Sequence, residues 1–98
     1  MSLVDAKLQK LGVRLRSERL RRNEAQGLFA ARIGVSVPTL RKMEAGDSTV
    51  LIGYWATALD LLDRASDLDG ILAETEDLFA RYEMMKAPAR RRASRRIP

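Results

Sequence analysis

The chain has 98 residues and a formal net charge of +5, and 46% of its residues are hydrophobic, which predicts one small folded domain and excludes a disordered chain. It holds no cysteine and no histidine, so disulfides and thiolate metal sites are excluded and the commonest general base is missing. With no apolar run long enough for a membrane span and no secretory signal, we expect a cytoplasmic binding protein without metal, cofactor, catalytic residues or membrane partner.

The charge is distributed in three blocks. Residues 1–48 carry a net charge of +5, residues 49–85 carry −6, and residues 86–98 carry +6. Basic surfaces attract nucleic acid through counterion release, whereas acidic surfaces are repelled by it. The distribution therefore predicts that the first half faces DNA and that the acidic middle faces away.

The first predicted helix covers roughly residues 3–22. Apolar residues spaced three and four apart mark its buried face, at Val4, Leu8, Leu11 and Leu15. Its outer face carries four basic residues, Arg14, Arg16, Arg21 and Arg22. We expect this helix to pack against the rest of the domain along the apolar face.

The block from Gln26 to Gly46 has the spacing of a DNA-reading helix-turn-helix, with helices at about 26–33 and 37–45. Gly34 lies where the first helix must stop, and Gly46 has the same place after the second. Ser36 is an N-cap candidate and Pro38 falls in the first turn of the second helix. Five apolar residues are spaced so that the two helices bury against each other, namely Ala30, Ile33, Val35, Leu40 and Met43.

A fourth helix is predicted over about Leu51 to Leu62. One side of it carries Ile52, Trp55, Ala58, Leu59 and Leu62. Trp55 fits this core stripe, and Tyr54 is a surface or dimer contact. A fifth helix is predicted to start near Ser66, as N-cap, and to include Leu68, Ile71 and Leu72.

The segment up to Met85 continues at helical spacing, so either the fifth helix extends to it or a break near Thr75 starts a separate element. We favour a helix, with an extended strand over Leu78 to Met84 as the alternative. Its apolar side chains exceed what a five-helix core requires and predict a dimer interface, with packing inside one chain as the alternative. The interface residues are Leu78, Phe79, Tyr82 and Met85.

The end of the chain, residues 87–98, has no apolar period and is predicted to be a disordered basic tail. It would reach phosphates or a minor groove, remain solvated, or order on a partner, in that order of preference. The predicted organisation is a DNA-binding domain at 3–73, a dimerisation element at 74–86 and this tail.

From Leu11 to about Leu72 the chain resembles the Cro/C1-type (Xre) helix-turn-helix family, the five-helix DNA-binding domain of lambda-type repressors. The matching residues are Leu11, Leu15, Arg19, Gln26, Ala30, Gly34-Val-Ser36, Thr39-Leu40, Glu44, Gly46 and Ala58-Leu59. Glu44-Ala-Gly-Asp and the run that starts at Trp55 most resemble the HipB-type antitoxin branch. The resemblance implies an all-α, lambda-repressor-like fold.

The resemblance also assigns roles to particular residues. It implies an internal ion pair between Arg19 and Glu44 and phosphate contacts by Gln26 and Thr39. The chain departs from the family before Gln26, where Ala25 replaces a capping Ser or Thr. Glu24 stands where an apolar residue is common, and Gly27 replaces a helix-former. These departures predict a less stable start to the second helix.

Base reading is assigned to the exposed side of the third helix. Lys42 can donate to guanine, and Arg41 can do the same or reach a phosphate. Val37 and Pro38 would pack on thymine methyl groups, or merely start the helix. Further phosphate contacts are predicted at the Ser48–Thr49 loop, Arg22 and Arg32, with a solvated face as the alternative for the two arginines.

These features predict a dimeric, sequence-specific transcriptional repressor that binds double-stranded DNA at a palindromic operator and regulates its own gene. Base readout per half-site is expected to be limited, so that DNA shape carries part of the specificity. The alternative is an antitoxin that binds a HipA-like kinase toxin, with DNA binding secondary.

Overall fold

A computed structural model describes residues 2–75 and residue 83. Over residues 2–75 the protein is all-α, with four α-helices followed by a 3₁₀ helix. The α-helices are α1 (Leu3–Arg21), α2 (Gln26–Ile33), α3 (Val37–Ala45) and α4 (Ile52–Leu61), and the 3₁₀ helix is Ala65–Gly70. The predicted bounds of the four α-helices are confirmed to within one residue. Within the described part, no helix combines the length and apolar character needed to cross a bilayer.

The core lies where α1, α2, α3 and the end of α4 meet. Its buried apolar members are Leu15, Phe29, Ala30, Ile33, Leu40, Met43, Ala58 and Leu62. Phe29, which the apolar pattern did not single out, is fully buried. Each large side chain of this kind contributes roughly 1.5–3 kcal/mol by leaving water. Val35, Val37 and Trp55 pack against the core from its edge.

Two glycines set the crossing of α1 over α3. A Cβ at Gly12 would lie 2.5 Å from the Glu44 carbonyl oxygen, and one at Gly46 would lie 2.6 Å from the Gln9 Cα. These neighbours are backbone atoms that cannot move aside, so only glycine allows the approach. The close crossing holds the end of α3 against the N-terminal half of α1.

The predicted fifth helix is present, but it ends before Ile71 and Leu72, which were expected to belong to it. The segment Ala65–Gly70 is a 3₁₀ helix, and the Ser66 side chain does not cap it, because Arg64 is its N-cap residue. Gly70 has a low helix propensity, Ile71 turns into an extended conformation, and Leu72 has a φ of +60°. Ile71 and Leu72 are therefore exposed rather than part of a helical stripe.

Two residues assigned to buried helix faces are also exposed. Val4 is 62% exposed and Ile52 is 70% exposed. Both lie in the first turn of their helix, where the chain reaches past the elements that cover the rest of the apolar face. Periodicity alone places a residue on a face, but the neighbouring element must also be long enough to cover it.

Candidate nucleic-acid interface

The turn between α2 and α3 is formed by the predicted residues. Gly34 has a φ of +93°, and the Val35 N–H donates to the Ala30 carbonyl at 2.9 Å, which ends α2. The Ser36 hydroxyl accepts from the Thr39 N–H at 3.2 Å and caps α3. The predicted C′ glycine and N-cap serine are confirmed. Because the cap comes from within the chain, the Thr39 N–H at the start of α3 needs no outside acceptor.

The exposed side of α3 carries the predicted base-reading residues. Leu40 and Met43 are completely buried, so they fix which side of α3 faces the core. Pro38, Arg41 and Lys42 are exposed, and Val37 is half-buried at the core edge. Their spacing of three and four residues places them on one surface. The structure therefore brings all four together, with the two cations on the outward side.

Arg19 and Glu44 form the ion pair that the resemblance implies. The Arg19 Nε donates to Glu44 Oε2 at 2.7 Å, with side-chain exposures of 6% and 5%. Arg19 Nη1 also donates to the Glu24 carbonyl at 2.8 Å. Arg19 thus connects α1 to the end of α3 and to the backbone just before α2. A buried pair of this kind is strongly destabilising to break, since one charge is left alone.

Gln26 lies beside this ion pair. Its Nε2 donates to Glu44 Oε1 at 3.3 Å, and the amide group keeps a second hydrogen for another acceptor. Thr39 is half-buried in the first turn of α3, where its hydroxyl oxygen accepts from Ser36 at 3.1 Å. Both predicted phosphate-contact residues therefore lie at helix starts, where backbone N–H groups also point outward.

The two arginines that were predicted to contact phosphates have partners inside the chain. Arg32 pairs with Glu24. Arg22 donates from Nη2 to the Leu62 carbonyl at 2.6 Å and so closes the end of α4. The Ala25 N-cap of α2 makes no side-chain capping hydrogen bond, as its residue type predicts. Both arginines thus have structural partners that the distribution of charge along the sequence did not predict.

The loop after α3 differs from the expected phosphate site. The Thr49 N–H donates to Asp47 Oδ1 at 2.7 Å, and the Thr49 hydroxyl donates to the same oxygen. The Thr49 hydroxyl, its N–H and the nearby Lys42 charge hold the pKa of the Asp47 carboxyl below its ordinary value. Ser48 remains exposed. Thr49 therefore has both donors engaged, and a carboxylate missed by the sequence reasoning lies beside them.

An open groove of about 720 Å³ lies beside the crossing of α1 and α3. It is lined by Arg41 and Lys42 of α3, by Asp5 and Gln9 of α1, and by the Asp47 loop. The sequence reasoning did not predict this groove, because it exists only through the glycine crossing of α1 and α3. It extends the candidate interface from α3 onto α1.

The candidate interface thus combines a capped helix with two exposed cations, and the buried Arg19–Glu44 ion pair supports it from inside the domain. Comparisons with protein-family models, curated proteins and solved structures find no match. The functional argument therefore depends on the residues and their geometry. The predicted dimer interface at Leu78, Phe79, Tyr82 and Met85, the helix-or-strand question after Thr75 and the basic tail at 87–98 lie outside the described residues.

Proposed function

We propose that the protein is a sequence-specific DNA-binding transcriptional repressor, in which α2 and α3 act as a helix-turn-helix of lambda-repressor type. The observation that carries the proposal is the exposed side of α3, where Arg41 and Lys42 project from a helix whose opposite side is completely buried. A short helix presented in this way fits the major groove of DNA.

The supports of α3 favour reading rather than mere attraction. Ser36 caps its start and the Arg19–Glu44 pair holds its end. A cation on a rigid helix keeps its position relative to the base edges, whereas a cation on a loose segment contributes charge alone. In this proposal Lys42 donates to guanine O6 and N7, and Arg41 reaches the same edge or a phosphate.

The remaining contacts divide between bases and backbone. Val37 and Pro38 pack on thymine methyl groups, so direct readout in each half-site is limited and DNA shape contributes. Gln26 and Thr39 donate to phosphates from the starts of α2 and α3. The repressor acts as a dimer, because a two-fold axis places two copies of α3 about 34 Å apart, one helical turn of DNA.

The proposal is tested by footprinting the full chain on the DNA upstream of its own gene. A protected palindromic site is expected. Lys42→Ala should weaken binding to that site by about 1–3 kcal/mol, because a base-edge contact is lost. Lys7→Ala is the matched control, since Lys7 is an exposed lysine on α1 outside the groove beside α3.

The outcome that contradicts the proposal is equally definite. If no upstream site is protected, or if Lys42→Ala and Lys7→Ala weaken binding equally, then α3 does not read bases. Equal losses would mean that lysines contribute to DNA affinity only through charge.

A further inference from the structure

The outer face of α1 carries a stripe whose members are spaced three and four residues apart. Its three large apolar residues, Leu3, Val13 and Leu20, are 73%, 61% and 47% exposed. Alternating steps of three and four residues keep such positions on one side of a helix. The stripe consists of Leu3, Ala6, Lys10, Val13, Ser17 and Leu20.

Most of this stripe lies on the side of α1 that faces away from the domain, whereas Ser17 also lines a pocket with Trp55 and Leu59 of α4. Gly12, Leu15 and Arg19 are the buried residues of α1. With 3.6 residues per turn, the stripe lies on the side roughly opposite to them. None of the six stripe residues lines the groove beside α3, so the two surfaces share no residue.

Basic side chains line the stripe. At positions next to it, Lys7, Arg14 and Arg21 lie along one edge, and Arg16 lies along the other edge together with Asp5. Within residues 2–75, Arg21 pairs with Glu18 at 2.6 Å, whereas Arg14 and Arg16 take part in no ion pair. An apolar stripe with an excess of cations at its edges is complementary to an apolar stripe with acidic edges.

The basic edges of the stripe also argue against two other binding partners, a second copy of α1 and DNA. A second copy of α1 packed on this face would bring basic edges together, and like charges in that arrangement repel. DNA phosphates would pair with the cations, but Leu3, Val13 and Leu20 would bury no apolar surface against them. The combination of three exposed apolar residues with cations within the stripe, at Lys10, and along its edges therefore favours a protein helix.

We propose that the outer face of α1 binds an amphipathic helix of a partner protein, with the apolar side of that helix on the stripe and acidic side chains along its edges. The stripe supplies the buried contact, and the Arg14 and Arg16 edges supply orientation and specificity. The inference does not depend on DNA binding by α3.

The test uses the full chain and a synthetic helical peptide with leucines at heptad positions a and d and glutamates at e and g. Binding is followed by fluorescence anisotropy of the labelled peptide. A control peptide carries lysines in place of the glutamates. We expect the glutamate peptide to bind with a micromolar Kd and the lysine peptide not to bind.

Variants locate the contact on α1. Val13→Ser and Leu20→Ser should each weaken binding of the glutamate peptide roughly tenfold, because buried apolar area is lost. Both residues are exposed, so the fold tolerates these changes. Leu28→Ser is the matched control and should leave the affinity unchanged, since Leu28 is a 57% exposed apolar residue on α2.

Each contrary result overturns the inference. Failure of the glutamate peptide to bind, equal binding of both peptides, or equal affinity of the Val13→Ser variant would exclude an acidic helix on α1. If Val13→Ser lowers self-association in sedimentation equilibrium, the occupant is a second copy. If it lowers affinity for duplex DNA, the occupant is nucleic acid.

Discussion

At the residue scale, Glu44 is the point where three parts of the chain meet. It accepts hydrogen bonds from Arg19 of α1 and Gln26 of α2, while itself belonging to α3. The carboxylate is buried, so its charge is compensated by the arginine rather than by water. One side chain therefore couples the stability of the fold to the orientation of the proposed reading helix.

We expect Glu44→Ala to lower the stability of the protein by about 3–5 kcal/mol, because it leaves the buried Arg19 guanidinium unpaired. Thermal unfolding followed by circular dichroism measures the effect. Affinity for the proposed operator should fall with it. Glu18→Ala is the control and should change the melting temperature little, since the Glu18–Arg21 pair is at the surface. Lost DNA binding at unchanged stability would refute the structural role.

At the element scale, the close approach of α1 and α3 defines the domain. Gly12 and Gly46 let the two backbones touch, and the Arg19–Glu44 pair lies further along the same crossing. The helices themselves start and end where local signals place them, at the Ser2 and Ser36 caps and at the left-handed glycines 34 and 46. Local signals thus make the helices, and the glycine contact determines how they pack.

Substitution of two helical glycines should have opposite effects. Gly12→Ala forces a Cβ against the Glu44 backbone and should destabilise the protein by about 1–3 kcal/mol, despite the better helix propensity of alanine. Gly53→Ala has open space around the new Cβ, so it should stabilise by as much as about 1 kcal/mol. Urea unfolding compares the two variants. A neutral Gly12→Ala would show that α1 and α3 are not in close contact.

The fifth helix is the element whose extent sequence periodicity predicted wrongly, since it ends at Gly70. Its apolar residues continue the helical spacing of the chain, but Gly70 and the residues after it leave the helical conformation. Ile71 and Leu72 have no neighbouring element that covers them. A helix this short needs tertiary packing to form, and periodicity does not report whether that packing is present.

At the scale of the whole molecule, the basic first half of the sequence contributes cations to more than one surface. Among the exposed basic residues of the first half, Arg41 and Lys42 lie on the outward side of α3, and Arg14 and Arg16 lie on the outer face of α1. We propose DNA for the first surface and an acidic helix for the second. A single net charge of +5 therefore describes neither surface.

We expect the full chain to be a dimer at micromolar concentration through the apolar residues predicted at the interface, including Phe79. Multi-angle light scattering measures the mass. Phe79→Asp should give a monomer with weaker operator binding, because the two reading helices then bind independently. Leu28→Asp is the control and should leave the dimer intact, since Leu28 is an exposed residue of α2, outside the predicted interface. A monomeric unchanged chain would refute the proposed dimer.

The sequence by itself determined the four α-helices, the turn residues Gly34 and Ser36, and the side of α3 that faces outward. These features follow from propensity, capping and periodicity, which act over a few residues. Resemblance to a family added the Arg19–Glu44 pair, whose members are 25 residues apart.

Only the tertiary structure decided which polar groups are already engaged and which apolar groups stay exposed. Arg22 donates to a carbonyl 40 residues away, and Val4 and Ile52 extend past the elements that cover their neighbours. Each outcome depends on how far another element reaches, not on the residue's own neighbours in the chain. The physical reason is that burial and hydrogen bonding at these positions are properties of packed helices, whereas helix formation and capping are local.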